Sequence, residues 1–167
     1  MSEDIEGQDD DVESIDYVVA VWREEGRWTA TALPAESATS LDDLATALRR
    51  LPGEGGVLGF VQIADEFFIG IRQTGDRTRA FVSDGTAVLD WGLADEVLEA
   101  VGLQVEDDDL EELEPVGDLS LYADFGLDAT ELGFICTDPD LYPDEQVRAI
   151  AKKLGFDPQI KSLVRSG

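Results

Sequence analysis

The stretch GVLGFVQIADEFFIGIRQTGDRTRAFVSDGTAVLDW, from Gly56 to Trp91, constrains the fold of this chain more than any other. It reads as four β-rich runs, near 57–64, 66–73, 77–83 and 86–90, with turns at Asp65-Glu66, Thr74-Gly75-Asp76 and Asp84-Gly85. Connections this short make sequential strands antiparallel neighbours, a meander. Asp84-Gly85 suits a two-residue type I′ hairpin, where both central residues need positive φ. Upstream, DYVVAVWREEGRWTATAL adds two more runs around Glu25-Gly26, a further hairpin. Alternation places Tyr17, Val19 and Val21 on one face and Val18, Ala20 and Trp22 on the other.

Two amphipathic helices interrupt and close this sheet. SLDDLATALRRL aligns Leu41, Leu44, Ala45, Leu48 and Leu51 as one stripe. Ser40 is its N-cap, Asp43 stands where a capping-box acid stands, and Pro52-Gly53 ends it. LADEVLEAVG buries Leu93, Val97, Leu98 and Val101 and stops at Gly102. The order ββαββββα predicts an α+β fold, one antiparallel sheet with both helices on one face. Beyond it lies a small helical C-terminal module. LSLYADFGL reads as a short strand or a helical turn, and DATELGFICTD opens with Asp128 and Glu131 at capping-box spacing. PDEQVRAIAKKLGF carries its acids first and Lys152 and Lys153 last, as a helix dipole favours, and DPQIKSLV adds a final turn or two.

Charge divides the chain further. The net charge is −26, and more than half of it sits in two short stretches: 1–15 holds seven acids and 103–118 eight, neither with a base. Self-repulsion and scarce apolar surface oppose packing there. The expected division is an acidic disordered leader at 1–15, a sheet domain at 16–102, an acidic linker at 103–118 and a helical module at 119–167. With 43% hydrophobic residues, the remainder can bury a core. No apolar run approaches the ~20 residues that span a bilayer, and the acidic N-terminus is the opposite of a signal peptide. A cytoplasmic protein without a membrane contact is expected. The lone Cys136, beside Leu132 and Ile135, reads as a small buried apolar residue.

Most chemistry is refused. The chain has no histidine, which removes Ser-His-Asp and Cys-His catalysis and histidine metal ligation, and one cysteine cannot build a thiolate zinc site. Gly53-Glu54-Gly55-Gly56 runs from helix to strand and offers a glutamate, the reverse of a phosphate loop. Calcium-loop spacing fails from Asp138, where Tyr142, Pro143 and Ala149 take ligand or glycine places. It fails from Asp107 too, where Glu112 takes the glycine place. No cofactor and no metal site is expected, and the overall charge repels nucleic acid. The acidic run is expected to be a solvated connector: mimicry of a nucleic acid would need carboxylates fixed ~7 Å apart, at alternate β positions.

One surface invites a different reading. Arg72, Arg77 and Arg79 flank a single turn and share a sheet face with Phe60, Phe68 and Phe81, while Phe67, Ile69 and Ile71 point the other way. If both sheet-domain helices cover the isoleucine face, the phenylalanine face is too aromatic to stay wet. Either the C-terminal helices cover it, or Phe68, Arg72, Arg77, Arg79 and Phe81 dock a partner.

GGVLGFVQIADEFFIGIRQ, the SDG turn with its following helix, and DLYPDEQVRAIAKKLGF resemble an actinobacterial family, the tRNA adenosine deaminase-associated proteins. The resemblance covers residues 16–156 and carries no catalytic signature. It implies a shared pathway with the deaminase and supplies a candidate partner. The chain is not itself the deaminase, whose chemistry needs a zinc held by His or Cys and Cys-x-x-Cys beside a glutamate. The expectation is a non-catalytic acidic accessory protein. The alternatives are an independent small-molecule-binding or regulatory domain, and an enzyme using Asp or Glu with a metal. The sequence sets no oligomeric state.

Overall fold

The computed structural model describes residues 14–53, 56–84, 91–100 and 115–164. Strands β1 (Ile15–Glu24) and β2 (Arg27–Leu33) form the first hairpin. Glu25 (φ 50°) and Gly26 (φ 78°) both lie in the left-handed region, as a two-residue type I′ turn demands. A short 3₁₀ turn at Ala35–Ala38 leads to α1 (Leu41–Arg49). Ser40 Oγ accepts the Asp43 N–H at 3.0 Å, the cap expected from the sequence and worth about 1 kcal/mol. The meander follows as β3 (Val57–Ile63), β4 (Phe67–Thr74) and β5 (Arg77–Val82).

The β3–β4 turn falls one residue earlier than the sequence suggested. Ala64 and Asp65 take φ of 52° and 56°, and Glu66 N–H donates to Ile63 O at 3.0 Å. Asp65 suits that conformation better than Ala64 does. A neighbouring strand holds it in place: Asp16 accepts the Asp65 N–H at 2.7 Å, and Gln62 Nε2 bridges Asp16 (3.0 Å) and Asp65 (2.9 Å).

After β5 come α2 (Gly92–Ala100) and a two-residue strand, β6 (Val116–Gly117). The six strands form one antiparallel sheet in the order β2-β1-β3-β4-β5-β6. The strand expected at 86–90, and most of the acidic run, lie outside the described residues. β6 is informative, because Gly117 pairs with Phe81 and Val116 with Val82. The last residues of the acid-rich stretch are therefore built into the sheet rather than left as tether.

Both faces are filled. On the first, Leu41, Leu44 and Leu48 of α1 and Leu93, Ala94 and Val97 of α2 pack on Val18, Ala20, Val61, Phe67, Ile69 and Ile71. The second is covered by the C-terminal module: a 3₁₀ turn at Ala123–Phe125, then α3 (Ala129–Thr137), α4 (Pro143–Leu154) and α5 (Asp157–Ile160). Its Leu121, Tyr122, Leu132, Val147, Ile150 and Phe156 meet Val19, Val21, Phe60, Phe68 and Phe81. Glycines in mid-strand let each layer sink in. A Cβ on Gly59 would lie 3.1 Å from Leu48 Cδ1, and one on Gly70 would strike the Phe81 ring and sit 2.7 Å from Tyr122 Oη.

Candidate functional site

The arginine–phenylalanine face is where sequence reasoning looked for a partner. Register brings its members together as expected: Arg72 stands directly opposite Arg79, Gly70 opposite Phe81, and Gln62 opposite Phe68. The surface docked there is the chain's own. Phe68 and Phe81 are 0% exposed, with ring centroids 5.5 Å apart in edge contact, and Phe81 meets Tyr122 at 6.0 Å. Phe60 joins Tyr122 and Phe156 at 6.3 and 6.0 Å. Of the five candidates, Arg77 is exposed and Arg79 half-buried. A partner reaches Phe68, Arg72 and Phe81 only by lifting the C-terminal module away.

The arginines explain how that module is held. Arg72 grips Asp124 in a two-pronged pair, Nη1 to Oδ1 at 2.6 Å and Nη2 to Oδ2 at 2.9 Å. It also donates to Leu121 O at 2.9 Å and lies 4.6 Å over the Phe125 ring. Arg79 Nε donates to Asp118 Oδ2 at 2.7 Å, while Ser120 N–H donates to Asp118 Oδ1 at 3.1 Å. Two adjacent, like-charged guanidiniums would repel on a bare sheet; each is answered by a carboxylate from the returning chain. The Arg79 hydrogen bond holds the Asp118 carboxyl below its ordinary range, and the Arg72 hydrogen bond does the same for Asp124. Sequence reasoning found the arginines and missed Asp118 and Asp124. The available signal was that β4 and β5, which carry the arginines, hold no acid of their own.

Cys136 is buried, and burial pushes its thiol up to about 12, so it stays protonated and unreactive. Among the described residues no group of three His, Cys, Asp or Glu side chains is placed to hold a metal ion. Among the described residues, cavities open on the surface in several places. One of about 240 Å³ lies beside Ser83, Cys136 and Gln146. A second, of about 280 Å³, lies between the end of α1 and the β4–β5 turn. A third, about 460 Å³, is a groove between α1 and α2, floored by Leu41 and Ala45 and rimmed by Asp42, Asp76, Glu96 and Glu99. Sequence reasoning put both helices on one sheet face but did not follow their polar sides to this meeting point.

An antiparallel sheet covered on both faces by helices, in a chain of net charge −26, defines a small acidic α+β protein. The particular family follows from comparison. The family model described as Rv3753c-like tRNA adenosine deaminase-associated protein matches residues 16–157, and the chain belongs to that family. A relative from Mycobacterium tuberculosis, Protein Rv3753c, is 41% identical over 150 residues, covering 89% of this chain and 87% of the relative. No solved structure matches the chain. Among the described residues, no helix is long and apolar enough to cross a membrane.

Proposed function

We propose that this chain is a non-catalytic accessory protein of the cytoplasm that binds a tRNA adenosine deaminase. The observation that carries the reading is an acid excess of 26 charges in a member of a family named for association with that enzyme. An enzyme that handles tRNA needs a basic surface to hold phosphates, and a strongly acidic protein is steered to such a surface. Bound there, it competes with RNA and screens the enzyme from the wrong substrates. The non-catalytic part of the reading draws on side-chain supply: no histidine, and a single cysteine that burial keeps protonated.

The test is a pull-down of purified deaminase by the full chain at low and moderate salt, with both proteins shown to be folded. Association that weakens as salt rises is expected. No association at either salt removes the proposal.

A further inference from the structure

The groove between α1 and α2 differs from the rest of the acidic surface in shape and in lining. Its floor is apolar: Leu41 and Ala45 are 7% and 6% exposed, and they belong to the α1 face that packs on the sheet. Its walls are fixed to each other, because Glu96 of α2 accepts the Leu41 N–H at the start of α1 at 3.2 Å. Four carboxylates line it against one guanidinium, that of Arg49. Arg49 lies 3.6 Å from Asp76, whose side chain is fully exposed. A pair that open to solvent contributes little, so a competing cation displaces it at small cost. Asp42 and Glu99 pair with no described cation. The groove continues into the 280 Å³ cavity at the β4–β5 turn, since Arg49 and Asp76 line both.

We propose that this groove is a docking site for a basic, amphipathic segment of a partner protein. Its Arg or Lys side chains pair with Asp42, Glu99 and Asp76, and a small apolar side chain covers Leu41 and Ala45. Continuity of the groove with the cavity at the β4–β5 turn favours a peptide segment over a small polyamine, which would fill only part of the two. The competing occupant is the chain itself, for α2 ends at Ala100 on the groove's edge. Residues 101–114 and 1–13 each carry seven acids and no base, so the same charges that attract a basic partner repel both segments. The Glu96 bond to Leu41 already ties the two walls together, which removes part of the ordering cost of binding. This deepens the proposed function and rests on it where the partner is the deaminase.

The experiment compares two charge reversals of equal size in the full chain, Asp42→Lys with Glu99→Lys in the groove, and Glu66→Lys with Asp140→Lys away from it. With parent-like melting in both, the groove pair should weaken deaminase binding at least tenfold and the distant pair less than threefold. Equal weakening by the two pairs would mean diffuse attraction and overturn the groove. If the parent does not bind deaminase at all, the accessory reading fails, and the groove is judged separately. The probe is then a synthetic helical peptide of alternating Arg and Leu faces, read by amide hydrogen exchange. Protection confined to α1 and α2, lost in the groove pair, supports the site, and protection spread over the surface refutes it. Loss of protection at α1 and α2 on deleting residues 103–114, without any partner, would assign the groove to the chain's own segment and also overturn the proposal.

Discussion

The two faces of the sheet are built from different materials, and the difference follows from where their covers lie in the chain. The first face is mostly aliphatic, and its helices lie in sequence among the strands they cover, α1 between β2 and β3 and α2 after β5. Hydrophobic burial of Leu44, Leu48 and Val97 suffices there. The second face is rich in aromatic rings, and its cover arrives only after the acidic run, as residues 119–164. A segment that must return over such a distance needs directional contacts to find one seat. Arg72 and Arg79 supply them through Asp124 and Asp118. Local order is enough for one face, while the other combines burial with ionic clips.

Four expectations test that contrast. The largest effect belongs to Phe68→Asp with Phe81→Asp, which sets two carboxylates among rings with no room for water. The double variant should lose the folded state outright, more than about 5 kcal/mol, as read by circular dichroism. If it melts like the parent and only partner binding is lost, the phenylalanine face is a docking surface after all.

Next, Leu48→Ala on the first face should cost about 3 kcal/mol and weaken the whole molecule together. Arg72→Ala on the second should cost about 2 kcal/mol, since it forfeits the Asp124 pair, the Leu121 carbonyl and the Phe125 ring. Its amide exchange should rise in the C-terminal helices ahead of the sheet. Uniform exchange in both variants would mean that the two faces form one indivisible unit.

A smaller effect is acid sensitivity. Asp118 and Asp124 have folded pKa values below the ordinary 3.8, so their pairs stabilise fully above that value. That stabilisation disappears as pH falls below 3.8 and through the lowered values. Protonation of other surface carboxylates works in the opposite direction by relieving self-repulsion. Melting temperature should therefore pass through a maximum on acidification and then drop, and Asp124→Asn should flatten the drop. An unchanged acid limb in that variant would remove Asp124 from the explanation.

The smallest effect has the reverse sign. Tyr122 Oη is fully buried over Gly70 with no hydrogen-bond partner among the described residues, and burial raises its pKa well above the usual value. Tyr122→Phe should stabilise by about 1 kcal/mol, measured as a higher urea midpoint. A lower midpoint would reveal a polar partner for the hydroxyl.

Strand alternation, the Ser40 cap and the sharing of one face by Arg72, Arg79, Phe68 and Phe81 were legible in the sequence because each depends on spacing within a few residues. What covered that face was not. Whether Leu121, Tyr122 and Phe156 return to Phe60 depends on contacts between residues some 60 to 96 positions apart, which no local period records. β6 was missed for the same reason: Val116-Gly117 is too short to announce itself and becomes a strand only through the Phe81 edge. The α1–α2 groove was half visible, since the helices were placed on one face but the meeting of Asp42 with Glu99 needed their packing.

The late return of the second cover has a consequence for biosynthesis. Phe156 leaves the ribosome 96 residues after Phe60, with Ile160 and Val164 later still, yet they help close the pocket of rings formed around Phe60. Until they emerge, a nascent chain with its sheet formed shows an oily, uncapped surface, and products truncated before residue 150 should be insoluble and dependent on chaperones.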